Sequence, residues 1–240
     1  MHLFEAIVFL HVLAGTVGLV SFWIPITARK GSIRHRKWGR IACRAFMGAG
    51  ALAIAMALLS LYGAEQRLPM VTDRVLFNGL FGWMMLYLGM LTIGFAHYGL
   101  AVVEHRNRRT NLRGWRHQLV FAVVAGLALN CGWYGMITGQ PLMALVALVG
   151  LVAVATQLAY VWRREVTPGS HVAEHFRSLL GMGISAYTAF ISVGMIRLVP
   201  DHVFNPLVWA VPSIVGVGLI LRYTLRARSG SSARAEADAA

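Results

Sequence analysis

LMALVALVGLVAVATQLAYVW, residues 142–162, decides the fold: it runs for 21 residues without a charge, with Pro141 before it and Arg163 and Arg164 after it. At a rise of about 1.5 Å per residue, a helix over this stretch is ~30 Å long, the thickness of a bilayer's hydrocarbon core. Proline at the head is harmless, because the first N–H groups of a helix have no partner within it. Six further apolar blocks run over 3–25, 41–62, 75–103, 117–138, 176–199 and 207–225. The chain is therefore expected to be all-α, a polytopic membrane protein folded as a seven-transmembrane-helix bundle over residues 1–227. The small polar segment 228–240, with no hydrophobic face, is expected to be a disordered cytoplasmic tail.

Composition points the same way. The 240 residues are 58% hydrophobic and only 13% charged, where a soluble domain carries about 25% charged residues. Residues 1–9 lack a basic leader and no small-residue cleavage site follows, so the first block is expected to persist as a helix. The third block exceeds what a bilayer requires and should tilt or project. Pro25, Pro168, Pro200 and Pro206 fall at block ends, whereas Pro212 lies inside the seventh and should kink it. Cys43 and Cys131 sit within helices, as buried thiols rather than a disulfide framework.

All but two of the 22 basic side chains are arginine, the lysines being Lys30 and Lys37, and the net charge is +13. The charges gather on alternate connections: 29–40, 106–116, 163–177 and the C-terminal segment. The other side holds only Arg67, Arg74 and Arg197. Such an asymmetry sets orientation, with the N-terminus outside and the C-terminus cytoplasmic. The charge therefore argues for membrane lipids, including anionic headgroups, as partners, and not for nucleic acid.

The histidines carry what chemistry the chain offers. His35, His97, His105, His117, His171 and His175 project to the cytoplasmic half, while His11 lies within the first span, and His2 and His202 lie at outer ends. His97 is six residues before Val103, so it is ~9 Å inside that helix end. An imidazole there either bonds to a neighbouring hydroxyl or carbonyl or ligates a metal or haem iron. His171 and His175, four apart with Glu174 between them, share a helix face. The letters H-x-x-E-H match those of certain zinc proteases, but the further downstream carboxylate ligand is missing, so a third ligand would come from His97 or His117. The metal set is thus His171, His175 and His97. Ser178, Met182 and Ser185 extend the same helix face, either lining a cavity or bonding across helices. Asn78, Asn130 and Gln157 add polar groups to three other spans, and together they point to a partly polar bundle interior. With no lysine outside the first cytoplasmic loop, a retinal Schiff base is excluded, and no phosphate-binding glycine loop is present.

HVLAGTVGLVSFWIPITARKGSIRHRKWGRIACRAFMGAGALAIAMAL, residues 11–58, resembles a bacterial family of predicted membrane proteins, domain of unknown function 2306, the likeness covering roughly residues 8–60. The likeness rests on His11, Gly15, Gly18, Lys30-Gly31, His35-Arg36 and Gly39-Arg40, with HFRSLLGMGISAYTAF further on. It implies a multi-span protein of the bacterial inner membrane and no settled activity. More distantly, His11, the basic loop and His35 are similar in order to the cytochrome b561-type haem proteins, though paired ligands at matching depth on both sides are not evident; a single inner-side haem, as that likeness implies, would use two of His97, His117 and His175.

Three functions remain open. The leading one is a membrane redox or metal-binding protein with an imidazole-rich site at the cytoplasmic side, carrying haem b or a divalent metal such as zinc, and working with a membrane redox partner or as a homo-oligomer. A zinc hydrolase acting on a lipid-like substrate is its catalytic form. The others are a small-solute or proton transporter or sensor, and a scaffold without chemistry.

Overall fold

A computed structural model describes residues 2–63, 73–194 and 206–238. Seven helical rods follow one another: α1 (His2–Thr27), α2 (Ile33–Tyr62), α3 (Arg74–Glu104), α4 (Trp115–Ile137), α5 (Pro141–Trp162), α6 (Ser170–Ala189) and α7 (Pro206–Asp238). Within α3, Asn78–Met84 is wound as a π-helix, and Phe190–Gly194 continues α6 in the same form. No strand occurs among the described residues. Five helices, α1 to α5, are long and apolar enough to cross a membrane. In α7 the apolar part described is Leu207–Tyr223. Of the residues expected on the sparsely charged outer side, Arg67, Arg197 and His202 lie outside the described residues.

Two helices begin earlier than their apolar blocks. The hydroxyl of Ser32 accepts from the His35 backbone N–H at 3.2 Å, an N-cap that winds the basic stretch 33–40 into the first turns of α2. Gly169, at φ +80°, reverses the chain into α6, so that His171 and His175 stand in its first two turns. Capping thus converts residues expected in loops into helical positions.

At the centre stands α3. It packs against α2, α4 and α6, while α1 lies on α2, α5 on α4, and α7 on α6. Met84 and Tyr87 are fully buried within it. The outward faces are apolar: Phe9 and Val20 on α1, Leu145 and Val152 on α5, and Ile214 on α7 are each more than half exposed. Water-soluble monomers seldom present continuous apolar faces of this kind. Helices without a hydrophobic drive between them associate by close packing of small residues. At the α2–α3 crossing, a Cβ at Gly50 would lie 2.8 Å from the Gly89 carbonyl oxygen, and one at Gly89 equally close to that of Gly50. Both cysteines are buried free thiols.

Polar side chains stitch neighbouring helices. The Tyr187 hydroxyl accepts from Trp23 Nε1 at 2.6 Å and donates to the Leu19 carbonyl at 2.8 Å, tying α6 to α1. Tyr187→Phe removes both bonds and is expected to lower stability by about 1–3 kcal/mol, near 1 per bond. Thermal unfolding of the detergent-solubilised variant checks this; an unchanged midpoint would mean that the bonds contribute nothing.

Candidate imidazole sites on two sides of α3

The first site is built from helix ends. The last carbonyls of a helix lack intrahelical donors, and at the end of α1 those of Pro25 and Ile26 are taken by the chain that follows. Lys30 Nζ donates to both, at 3.0 and 2.7 Å, and His35 Nδ1 donates to Pro25 at 3.0 Å. The Lys30 ammonium also stands 5.3 Å from the centre of the Tyr223 ring. Loss of water around it holds the Lys30 amine below its ordinary range.

Across from His35, α6 presses on α3 at Gly99, where a Cβ would strike Leu179. That approach lets His175 Nδ1 donate to the Gly99 carbonyl at 2.6 Å. A carbonyl only accepts, so in both His35 and His175 Nδ1 carries a proton, and in the neutral ring the lone pair lies on Nε2. The two rings are 6.5 Å apart, centre to centre, at 65°. His171 stands one turn before His175 on the same helix.

The second site lies on the α4 side. His97 Nε2 and His117 Nδ1 are 2.9 Å apart, with ring centres at 4.9 Å and 31°. One proton must lie between them. The His105 ring meets His117 edge-on at 5.7 Å, and Asn111 Nδ2 is 3.4 Å from His105 Nδ1. The connection that carries them is pinned to the end of α5. Arg113 Nε donates to the Val161 carbonyl at 3.2 Å and its guanidinium lies 4.9 Å from the Trp162 ring. Arg109 donates to the carbonyls of Arg163 and Arg164. These two arginines cap a helix terminus, a role the sequence reading did not assign them.

Of the three imidazoles from which a haem pair was expected, His97 and His117 come together, whereas His175 bonds to α3 at Gly99. Residues 97 and 99 are about 200° apart around the helix axis, so His97 turns to α4 and the Gly99 backbone meets α6. The set His171, His175 and His97 is divided in the same way. Among the described residues, no three His, Cys, Asp or Glu side chains converge as metal ligands. Glu174, the acid of H-x-x-E-H, is buried, accepts from the Tyr98 hydroxyl at 3.0 Å and pairs with Arg177. It is therefore engaged as a structural anchor between α6 and α3.

Other polar positions resolve individually. His11 Nδ1 is 2.9 Å from the Ala49 carbonyl, the backbone-bonded alternative for an intramembrane imidazole. Ser178 donates to the Phe95 carbonyl at 2.8 Å, and Ser185 shares a proton with Thr92 at 2.8 Å, so this stripe does bond across helices. Asn130, expected in the interior, faces outward, while Gln157 is buried. The partner that sequence reading missed for His175 is His35. Its signal was Ser32, a capping residue three positions ahead of it. Compared with models of protein families, with curated proteins and with solved structures, the chain matches none.

Proposed function

We propose that this chain is a seven-span protein of the bacterial inner membrane, with its N-terminus outside and its C-terminus cytoplasmic, that holds a redox cofactor or metal between imidazoles at its cytoplasmic side. The observation that carries this reading is the state of His35 and His175. Each has Nδ1 tied to a backbone carbonyl and Nε2 free, with ring centres 6.5 Å apart. Metal- and haem-ligating imidazoles are held in this manner, the outer bond setting the tautomer and the basicity of the ligating nitrogen. The donor set suits haem b first and a divalent metal such as zinc second. Bound there, haem b supplies a one-electron centre and zinc a Lewis acid. The chain's own part is to hold two oriented imidazoles beside a cationic Lys30 at the junction of α1, α2 and α6.

The absorption spectrum and elemental content of the purified protein test this. A Soret band that shifts on reduction, or one transition metal per chain, is the expected result. Protein with neither removes the reading. Reporter fusions are expected to find the two termini on opposite faces of the membrane, as an odd number of spans requires.

A second reading draws on the His97–His117 contact. A proton held between His97 and His117 at 2.9 Å, with the His105 ring packed edge-on beside them, is an arrangement suited to moving protons rather than to ligating one ion. In proteoliposomes with a trapped pH dye, His117→Gln is expected to slow proton entry by at least about tenfold, the effect of losing a general acid–base group. Chelation should leave it unchanged, and equal rates in variant and wild type would discard this reading.

A further inference from the structure

Between α5 and α7 lies a cleft of about 320 Å³, floored by α3 and α6. Its walls are largely apolar, including Leu91, Val149, Ile184 and Val217. Its polar groups are placed unevenly. At the cytoplasmic end, Glu174 and Arg177 form one polar station, and Gln157 with Ser178 forms a second on the neighbouring wall. At the far end stand Thr188 and Trp209, and the buried Thr188 hydroxyl has no hydrogen-bond partner among the described residues. From Arg177 to Thr188 the helix rises ~16 Å, about half the hydrocarbon thickness of a bilayer.

These features define an occupant. The cleft lies between two helices and is partly open, at a depth that suits a chain from one leaflet. The head station is net neutral: an anion at Arg177 would face the Glu174 carboxylate, and a cation at Glu174 would face the guanidinium. Arg177, half exposed, keeps N–H donors beyond those given to Glu174, and the carboxylate keeps acceptor capacity. Polar groups on two walls suit a head with oxygens on two edges, and the Phe95 ring on the floor suits a planar one. We infer that this cleft binds a neutral single-chain amphiphile with a planar, two-oxygen head, of the isoprenoid quinone or quinol class, entering from the inner leaflet. This rests on the membrane reading of the bundle, and not on the cofactor at His35 and His175.

The test uses the full chain in phosphatidylcholine nanodiscs and a decyl benzoquinone carrying a diazirine at its chain end. Irradiation is expected to label the deep end, on α7 around Trp209 and Ser213 and on α5 around Val146. Labelling should saturate and be competed by unlabelled decyl benzoquinol, but not by laurate. Ser213→Trp, which fills the cleft, should cut labelling at least about tenfold. The double change Glu174→Gln with Arg177→Gln, which keeps the station net neutral and leaves Tyr98 an acceptor, should raise the half-saturating concentration about tenfold, the loss of one charged hydrogen bond. Labelling spread over the outer faces of α1 and α4 and insensitive to both variants would overturn the inference, as would equal competition by laurate. Release of the protein from membranes by alkaline carbonate would instead overturn the membrane reading, and the cleft site with it.

Discussion

His175→Ala is expected to abolish cofactor binding, and His35→Ala to do the same, whereas His97→Ala leaves it intact. Each of the first two removes one of the paired imidazoles. Loss of an outer-shell partner alone lowers metal affinity by roughly 10–100-fold, and loss of a ligand should exceed that. The alanine variants should remain folded, since each gives up one side-chain bond to a carbonyl that also lies in a helix, at about 1 kcal/mol. Cofactor content per chain, read from the Soret absorbance or the elemental analysis of monodisperse protein, is the measurement. Retention of cofactor in both variants, or its loss in His97→Ala, would move the site to the other side of α3.

Gly50→Ala and Gly48→Ala, two residues apart on α2, are expected to shift stability in opposite directions. A methyl at Gly50 meets the Gly89 carbonyl oxygen at 2.8 Å and Ile93 at 3.0 Å, whereas one at Gly48 meets nothing within 4 Å. The first contact is with backbone and no rotamer change relieves it, so α2 and α3 must separate, at about 1–3 kcal/mol. The second substitution adds a better helix former in open space and should stabilise by up to about 1 kcal/mol. Thermal midpoints of the two variants in detergent decide the matter. A lower midpoint for both, or for neither, would show that the α2–α3 crossing is not as close as described.

How much was legible beforehand differs between the helices and the sites. The seven rods could be read from the apolar blocks; caps moved two of their starts, at Ser32 for α2 and Gly169 for α6, and α7 runs past its block to Asp238, into the segment expected as a disordered tail. The free thiols were legible too, because Cys43 and Cys131 lie inside such blocks. The alignment of Ser178 and Ser185 followed from helical spacing along a single element. Asn130 was misplaced because its block is apolar on every side, and periodicity then says nothing about which face turns inward.

The same reason separates what sequence alone determined from what only the tertiary structure decided. Length, hydropathy and the sided distribution of arginine determined an all-helical chain of membrane-spanning character, with its imidazoles concentrated toward one end. Which imidazoles meet was decided by rotation about α3, the most buried helix of the bundle. A helix surrounded on all sides has no polar face, so its azimuth leaves no trace in one dimension. Packing at Gly50, Gly89 and Gly99 sets that azimuth, sending His97 toward His117 and leaving His175 to face His35.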